Sequence, residues 1–178
     1  YGQAVLNEVT GRDWWVARPI ELPGSRPLRL EHGNIGSQLV SWPLEHIVKC
    51  LVFYHPDDSV EMRLEQEQLV REVYEACCQS GHELLLEIIL PASKPRTDEN
   101  YIRTLERFYH LGIKPDWWKL PPLSAESWVT VEALVNKNDK HCHGIVILGL
   151  DAPMDVLEAG FNQAANSSMV KGFAVGRS

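Results

Sequence analysis

Residues 83–91, "ELLLEIILP", decide how this chain folds. The run is apolar at successive positions rather than at alternate ones, which suits a strand buried on both faces. It is interrupted only by Glu87 before it stops at Pro91. Similar runs recur at 13–21, 46–55, 115–120, 143–151 and 170–177, with successive starts about 27–37 residues apart. That spacing leaves room for one crossover helix between each pair of strands, and so for a parallel sheet built of βα units.

Helical patterns fill the gaps. Residues 58–79 carry Val60, Leu64, Leu69, Val73 and Cys77 among charges, and Asp58 with Glu61 reads as a capping box. Residues 98–112 place Tyr101, Ile102, Leu105 and Phe108 on one stripe and end at Gly112 as a C-cap. Ser124 caps a helix running to 138, and Asp151 starts one over 151–166 with Pro153 in its first turn. The section 22–45, rich in Gly, Pro and Ser, reads as a long loop. An open doubly wound sheet advertises a glycine-rich turn after its first strand, and none is present here. A (β/α)8 TIM barrel takes about 250 residues, so six units fit a barrel lacking its first two. The chain starts at Tyr1 without methionine and stops after "GFAVGRS", so 1–178 is expected to be one partial barrel domain of a longer protein.

Composition narrows the function. A formal charge of −7 over 178 residues argues against a general nucleic-acid or anionic-membrane surface. The four cysteines, Cys50, Cys77, Cys78 and Cys142, form no CxxC pair, and no signal peptide is visible. A reducing cytoplasm is therefore the expected compartment. No apolar run reaches the roughly 18 residues of a membrane helix. Internal repeats are absent.

Three charged residues sit mid-strand in neighbouring apolar runs: Lys49, Glu87 and Lys119. Strand alternation puts Lys119 on the face of Trp117, Lys49 with Leu51, Phe53 and His55, and Glu87 with Leu85 and Ile89. Unpaired buried charge costs several kcal/mol, so two ammoniums and a carboxylate are expected to meet in one interior. Two readings follow. One is a buried Lys49–Glu87 pair with Lys119 reaching the rim. The other is a catalytic cluster, in which a desolvated lysine beside a second cation supplies a neutral amine for Schiff-base chemistry and the carboxylate shuttles protons.

Strand ends supply further candidates. Gly149 closes one run, and Gly176 with Arg177 closes the last, where barrels often hold phosphate. His55, Arg18 and Glu21 close earlier strands and are candidate substrate contacts, with an Arg18–Glu21 structural pair as the competing reading. "KHCHG" (140–144) has the look of a metal site but falls at a strand start, on the stability face, and no metal is assigned. Cys77 and Cys78 read as helix packing.

The strand motifs "VKCLVFYHPDD", "LLLEIILP", "DWWKLPP", "VILGLD" and "FAVGRS" resemble, in order, those of the class I tagatose-1,6-bisphosphate aldolase group. More closely, "RPIELPGSRPL", "HIVKCLVFYHPDD", "PDWWKL" and "GFAVGRS" resemble the aldolase-like domain that follows a sugar kinase in bacterial myo-inositol catabolism proteins. The resemblance implies Lys119 as Schiff-base lysine, Glu87 as proton-transfer group and Lys49 as second active-site lysine. It further implies phosphate binding at Gly149, Gly176 and Arg177. The implied reaction is cleavage of 5-dehydro-2-deoxygluconate 6-phosphate to dihydroxyacetone phosphate and malonate semialdehyde, without a cofactor. The implied partners are the sugar-phosphate substrate and a covalently linked kinase domain, with a homo-oligomer left open and no nucleic acid or membrane. A non-catalytic sugar-phosphate-binding regulatory domain and a metal-dependent aldolase or isomerase using His55 stay as alternatives. After the lysine, "KLPPL" replaces the acidic residue of the tagatose group.

Overall fold

The computed structural model describes residues 2–149 and 153–175. Six strands form one sheet: β1 (Val16–Pro19), β2 (His46–Phe53), β3 (Leu84–Ile89), β4 (Trp117–Leu120), β5 (Gly144–Gly149) and β6 (Val170–Val175). Each pairs in parallel with its neighbour in sequence, in the order β1-β2-β3-β4-β5-β6. Parallel strands require crossovers, and a single handedness of crossover in this order sends every connecting helix to one face. The result is a curled parallel sheet of the half-barrel kind, matching the expected alternation of strand and helix.

The crossover helices are α3 (Val60–Ser80), α4 (Asp98–His110), α5 (Ala125–Asn138) and α6 (Met154–Ala164). Two further helices, α1 (Gly2–Val9) and the short α2 (Ile35–Leu39), were not expected from the sequence. Part of the anticipated loop 22–45 is thus ordered, and an isolated antiparallel bridge joins Glu21 to Leu30. Local chemistry sets most helix ends. Ser124 accepts a hydrogen bond from the Ser127 N–H at α5, as expected, and Thr97 does the same for Asn100 at α4. Gly112 follows α4 at φ 76°, a left-handed conformation that suits glycine. The α3 cap differs from expectation: it is Ser59, accepting from the Met62 N–H, because Asp58 is drawn instead to Arg26. Pro153 is the cap of α6 rather than part of its first turn, and Asp151 lies outside the described residues.

Alternation along the strands separates two environments. Val48, Cys50, Val52, Leu84, Leu86, Ile88, Trp118, Leu120, Ile145 and Ile147 join Val70, Val73, Leu105, Phe108, Trp128 and Val131 of the helices in the main core. Trp118 anchors it, with no solvent exposure and its Nε1–H donating to the Tyr109 hydroxyl at 2.8 Å. The other face of the sheet carries a smaller apolar group, Ile47, Leu85 and Val146, packed with Ala17, Trp117 and Ala174. Trp117 is pinned there by its Nε1–H donating to Glu83 Oε2 at 2.7 Å, with the Trp15 and His143 rings edge-on to it. The charged mid-strand residues share this second face.

Candidate functional site

Strand register brings the cluster together. Glu87 lies beside Lys119 in the β3–β4 ladder, and Lys49 lies one pleat lower, opposite Leu85. Their side chains meet: Glu87 Oε2 is 2.9 Å from Lys49 Nζ and 3.3 Å from Lys119 Nζ. Glu21, just past β1, adds a fourth charge, with Oε1 2.5 Å from Lys49 Nζ and Oε2 accepting from the Leu51 N–H at 3.2 Å. The order is Glu21, Lys49, Glu87, Lys119, an alternation of acid and base with no net charge. All four side chains are largely buried, from 3% exposed for Glu87 to 15% for Lys49.

The two lysines are not equivalent. Burial alone would lower the Lys49 pKa, but the charges of Glu87 and Glu21 and the bonds they accept outweigh it and hold that pKa above the ordinary lysine value. Lys49 is therefore a fixed ammonium flanked by two carboxylates. Lys119 has a single acidic partner, Glu87, among the described residues. Glu87 Oε2 itself is fully shielded from solvent and stands at ion-pair distance from both ammoniums.

The remaining candidates divide. Arg18 does not join Glu21. It pairs in register with Val48, on the helix-facing side of β1, and stacks its guanidinium 3.7 Å from the centre of the Trp42 ring. Alternation along β1 already separates the two: Glu21 shares the face of Pro19, which lies opposite Lys49, while Arg18 points the other way. His55 sits at the C-terminal end of β2, 1% exposed, with both ring nitrogens engaged. Nδ1 accepts from the Asp57 N–H at 3.1 Å, so the proton is on Nε2, which donates to the Pro95 carbonyl at 3.1 Å. The ring pins one loop to the next and has no free nitrogen for a substrate. Gly149 is buried at the C-terminal end of β5, at the same end of the sheet as His55 and Lys119. Gly176 and Arg177 lie outside the described residues.

Asp57 and Asp58 hold the loops around this end, a role the capping-box reading missed. Arg26 Nη2 donates at 2.7 Å to both Asp58 oxygens, and Lys94 Nζ approaches Asp58 at 3.5 Å. Arg103 donates to both oxygens of Asp57. A pair of acids immediately after a strand, with basic residues after the neighbouring strands, was the available signal. At the opposite end of the sheet, His143 Nδ1 lies 3.6 Å from Glu83, and the His141 N–H donates to Asp139. Among the described residues no three His, Cys, Asp or Glu side chains converge as a metal site. Nor is any described helix long and apolar enough to cross a membrane.

Comparison with known proteins adds a family and a fold. No curated protein matches the chain. Among solved structures, it resembles the crystal structure of Cgl0159 from Corynebacterium glutamicum, with a TM-score of 0.68 at 16% identity. The match covers 98% of this chain but 61% of that one, so the present chain spans under two thirds of its neighbour's length. At that identity the likeness concerns the fold alone. A family model described as "Uncharacterized protein conserved in bacteria (DUF2090)" matches residues 1–178, and the chain accordingly belongs to the DUF2090 family.

Proposed function

We propose that this chain is the greater part of a (β/α)8 barrel that cleaves a sugar phosphate by class I, lysine-dependent aldol chemistry. The observation that carries the reading is the placement of Glu87 Oε2 between Lys49 at 2.9 Å and Lys119 at 3.3 Å, on one buried face of adjacent parallel strands. Such chemistry needs a neutral amine, a group that accepts and returns protons, and a fixed positive charge to steady the developing oxyanion. Lys49, held as an ammonium, supplies the last. Lys119 is then the amine and passes its proton to Glu87.

The steps balance without an outside reagent. Lys119 Nζ adds to the substrate's keto carbon, and loss of water leaves an iminium. Glu87, having returned its proton to the departing water, takes the proton of the hydroxyl two carbons away; the bond between that carbinol carbon and its neighbour on the keto side breaks, and the electron pair moves into an enamine. The aldehyde product leaves. Protonation of the enamine and hydrolysis of the iminium release the ketone and restore Lys119. The motif resemblance points to 5-dehydro-2-deoxygluconate 6-phosphate as substrate, with dihydroxyacetone phosphate and malonate semialdehyde as products. Gly149, at the C-terminal end of β5, suits the close approach of a phosphate to backbone.

The test is borohydride reduction in the presence of that substrate, followed by mass spectrometry of the peptide containing Lys119. A reduced adduct on Lys119, formed equally after exhaustive metal chelation, is the expected result. Binding of the substrate with neither adduct nor turnover would replace this reading with a non-catalytic sugar-phosphate sensor.

A further inference from the structure

A second polar site lies on the other side of the sheet. Between α1, the start of β2 and the turn after α2 is a cleft of ≈ 590 Å³ whose lining includes Leu6, Thr10, Arg18, Ser41, Trp42 and His46. Arg18 dominates it. The guanidinium is stacked on Trp42, and its one polar contact among the described residues is a long one, Nη1 donating to His46 Nδ1 at 3.5 Å. No carboxylate among the described residues lies within ion-pair reach of it. Lys49 and Arg26, by contrast, are each matched to an acid. Here the charge is partly desolvated, enough to lower the arginine's pKa, and stands uncompensated in a chain of net charge −7.

The neighbouring hydrogen bonds leave the cleft ready for an acceptor. Thr10 Oγ1 donates to the Leu6 carbonyl at 2.6 Å, so it can only accept from His46 Nε2, 2.9 Å away. The His46 proton is therefore on Nε2, and the bare Nδ1 faces Arg18. The acid whose charge reaches His46, Glu45, has its Oε1 taken by the Gly11 N–H. Nε and Nη2 of Arg18 have no partner among the described residues, and they form the planar fork that matches two oxygens of one anion.

We infer that this cleft binds a small oxyanion, a phosphate or a carboxylate group, through the free edge of Arg18, on the opposite face of the sheet from the lysine–glutamate cluster. The inference stands independently of the aldolase reading.

The experiment follows the assigned ring resonances of His46 and the indole of Trp42 during titration with inorganic phosphate and, separately, with malonate. Sodium chloride at matched ionic strength is the control. Saturable shifts at His46 and Trp42 are expected, with the tighter of the two probes naming the class of anion. Arg18→Gln should weaken binding at least tenfold, and Arg18→Lys, which keeps the charge without the fork, should weaken it less. Lys119→Met should leave the titration unchanged, which separates this site from any phosphate held at the lysine cluster. Shifts that merely follow ionic strength, a silent His46, or full binding in folded Arg18→Gln would each overturn the proposal. Should Arg18→Gln fail to fold, the wild-type resonances and Arg18→Lys decide.

Discussion

Glu87 and Lys119 stand side by side in the β3–β4 ladder, and the carboxylate of one reaches within 3.3 Å of the ammonium of the other. The two are adjacent because parallel register places position 87 opposite position 119, not because a loop carries them together. A pair built on strands is held more closely than one built on loops, and it is the relationship on which the proposed chemistry depends.

Glu87→Gln keeps the shape of the side chain but not its basicity. Turnover of the sugar phosphate should fall by roughly 10²–10⁴-fold, the usual worth of a general acid–base group. Steady-state kinetics on the purified variant measure this directly. Near-normal turnover would mean that the proton goes elsewhere.

The two lysines should differ in stability as well as in chemistry. Lys49→Met leaves Glu21 without an ionic partner and Glu87 with Lys119 alone, and should cost about 3–5 kcal/mol, the range for breaking a buried pair from one side. Lys119→Met leaves Glu87 with Lys49 and should cost clearly less, while abolishing borohydride trapping. Urea unfolding of the two variants gives the comparison.

Lys49 also sets a pH dependence. Its folded pKa lies above the ordinary value of 10.5, so its stabilising contribution is complete below about pH 10.5 and disappears as pH rises through the raised folded value. Between neutrality and pH 10.5 the stability gap between wild type and Lys49→Met should therefore stay constant, and it should narrow as pH rises above 10.5. A gap that closes between about pH 7 and pH 10 would contradict the double pairing of Lys49.

Trp118→Ala should be the most damaging core change. It empties a fully buried site and leaves the Tyr109 hydroxyl without its indole donor. A loss of about 3–5 kcal/mol is expected from denaturant midpoints.

Strand alternation made the inner face legible from sequence, because Lys49, Glu87 and Lys119 interrupt otherwise apolar runs. The helix caps at Ser124 and Gly112 were legible because each depends on local chemistry alone. What was not legible depended on distant partners. Asp58 and Ser59 are adjacent candidates for one cap, and only Arg26, 32 residues away, decides between them. His55 is silenced by the carbonyl of Pro95, 40 residues on. Residues 13–15 read as the beginning of a strand, yet β1 starts at Val16 and Trp14 and Trp15 are exposed, since an apolar run cannot say where its neighbour's ladder ends.

The order of strands has a consequence for synthesis. Among the described residues each strand pairs only with its sequence neighbours, so the sheet can be laid down in the order in which the ribosome releases it. Glu21, Lys49, Glu87 and Lys119 come from the segment just after β1 and from β2, β3 and β4. The nascent chain thus holds every member of the cluster once residue 119 has emerged, before α5, β5 or β6 has emerged to pack on it. Its opposite charges can neutralise one another while the rest of the chain is still being made.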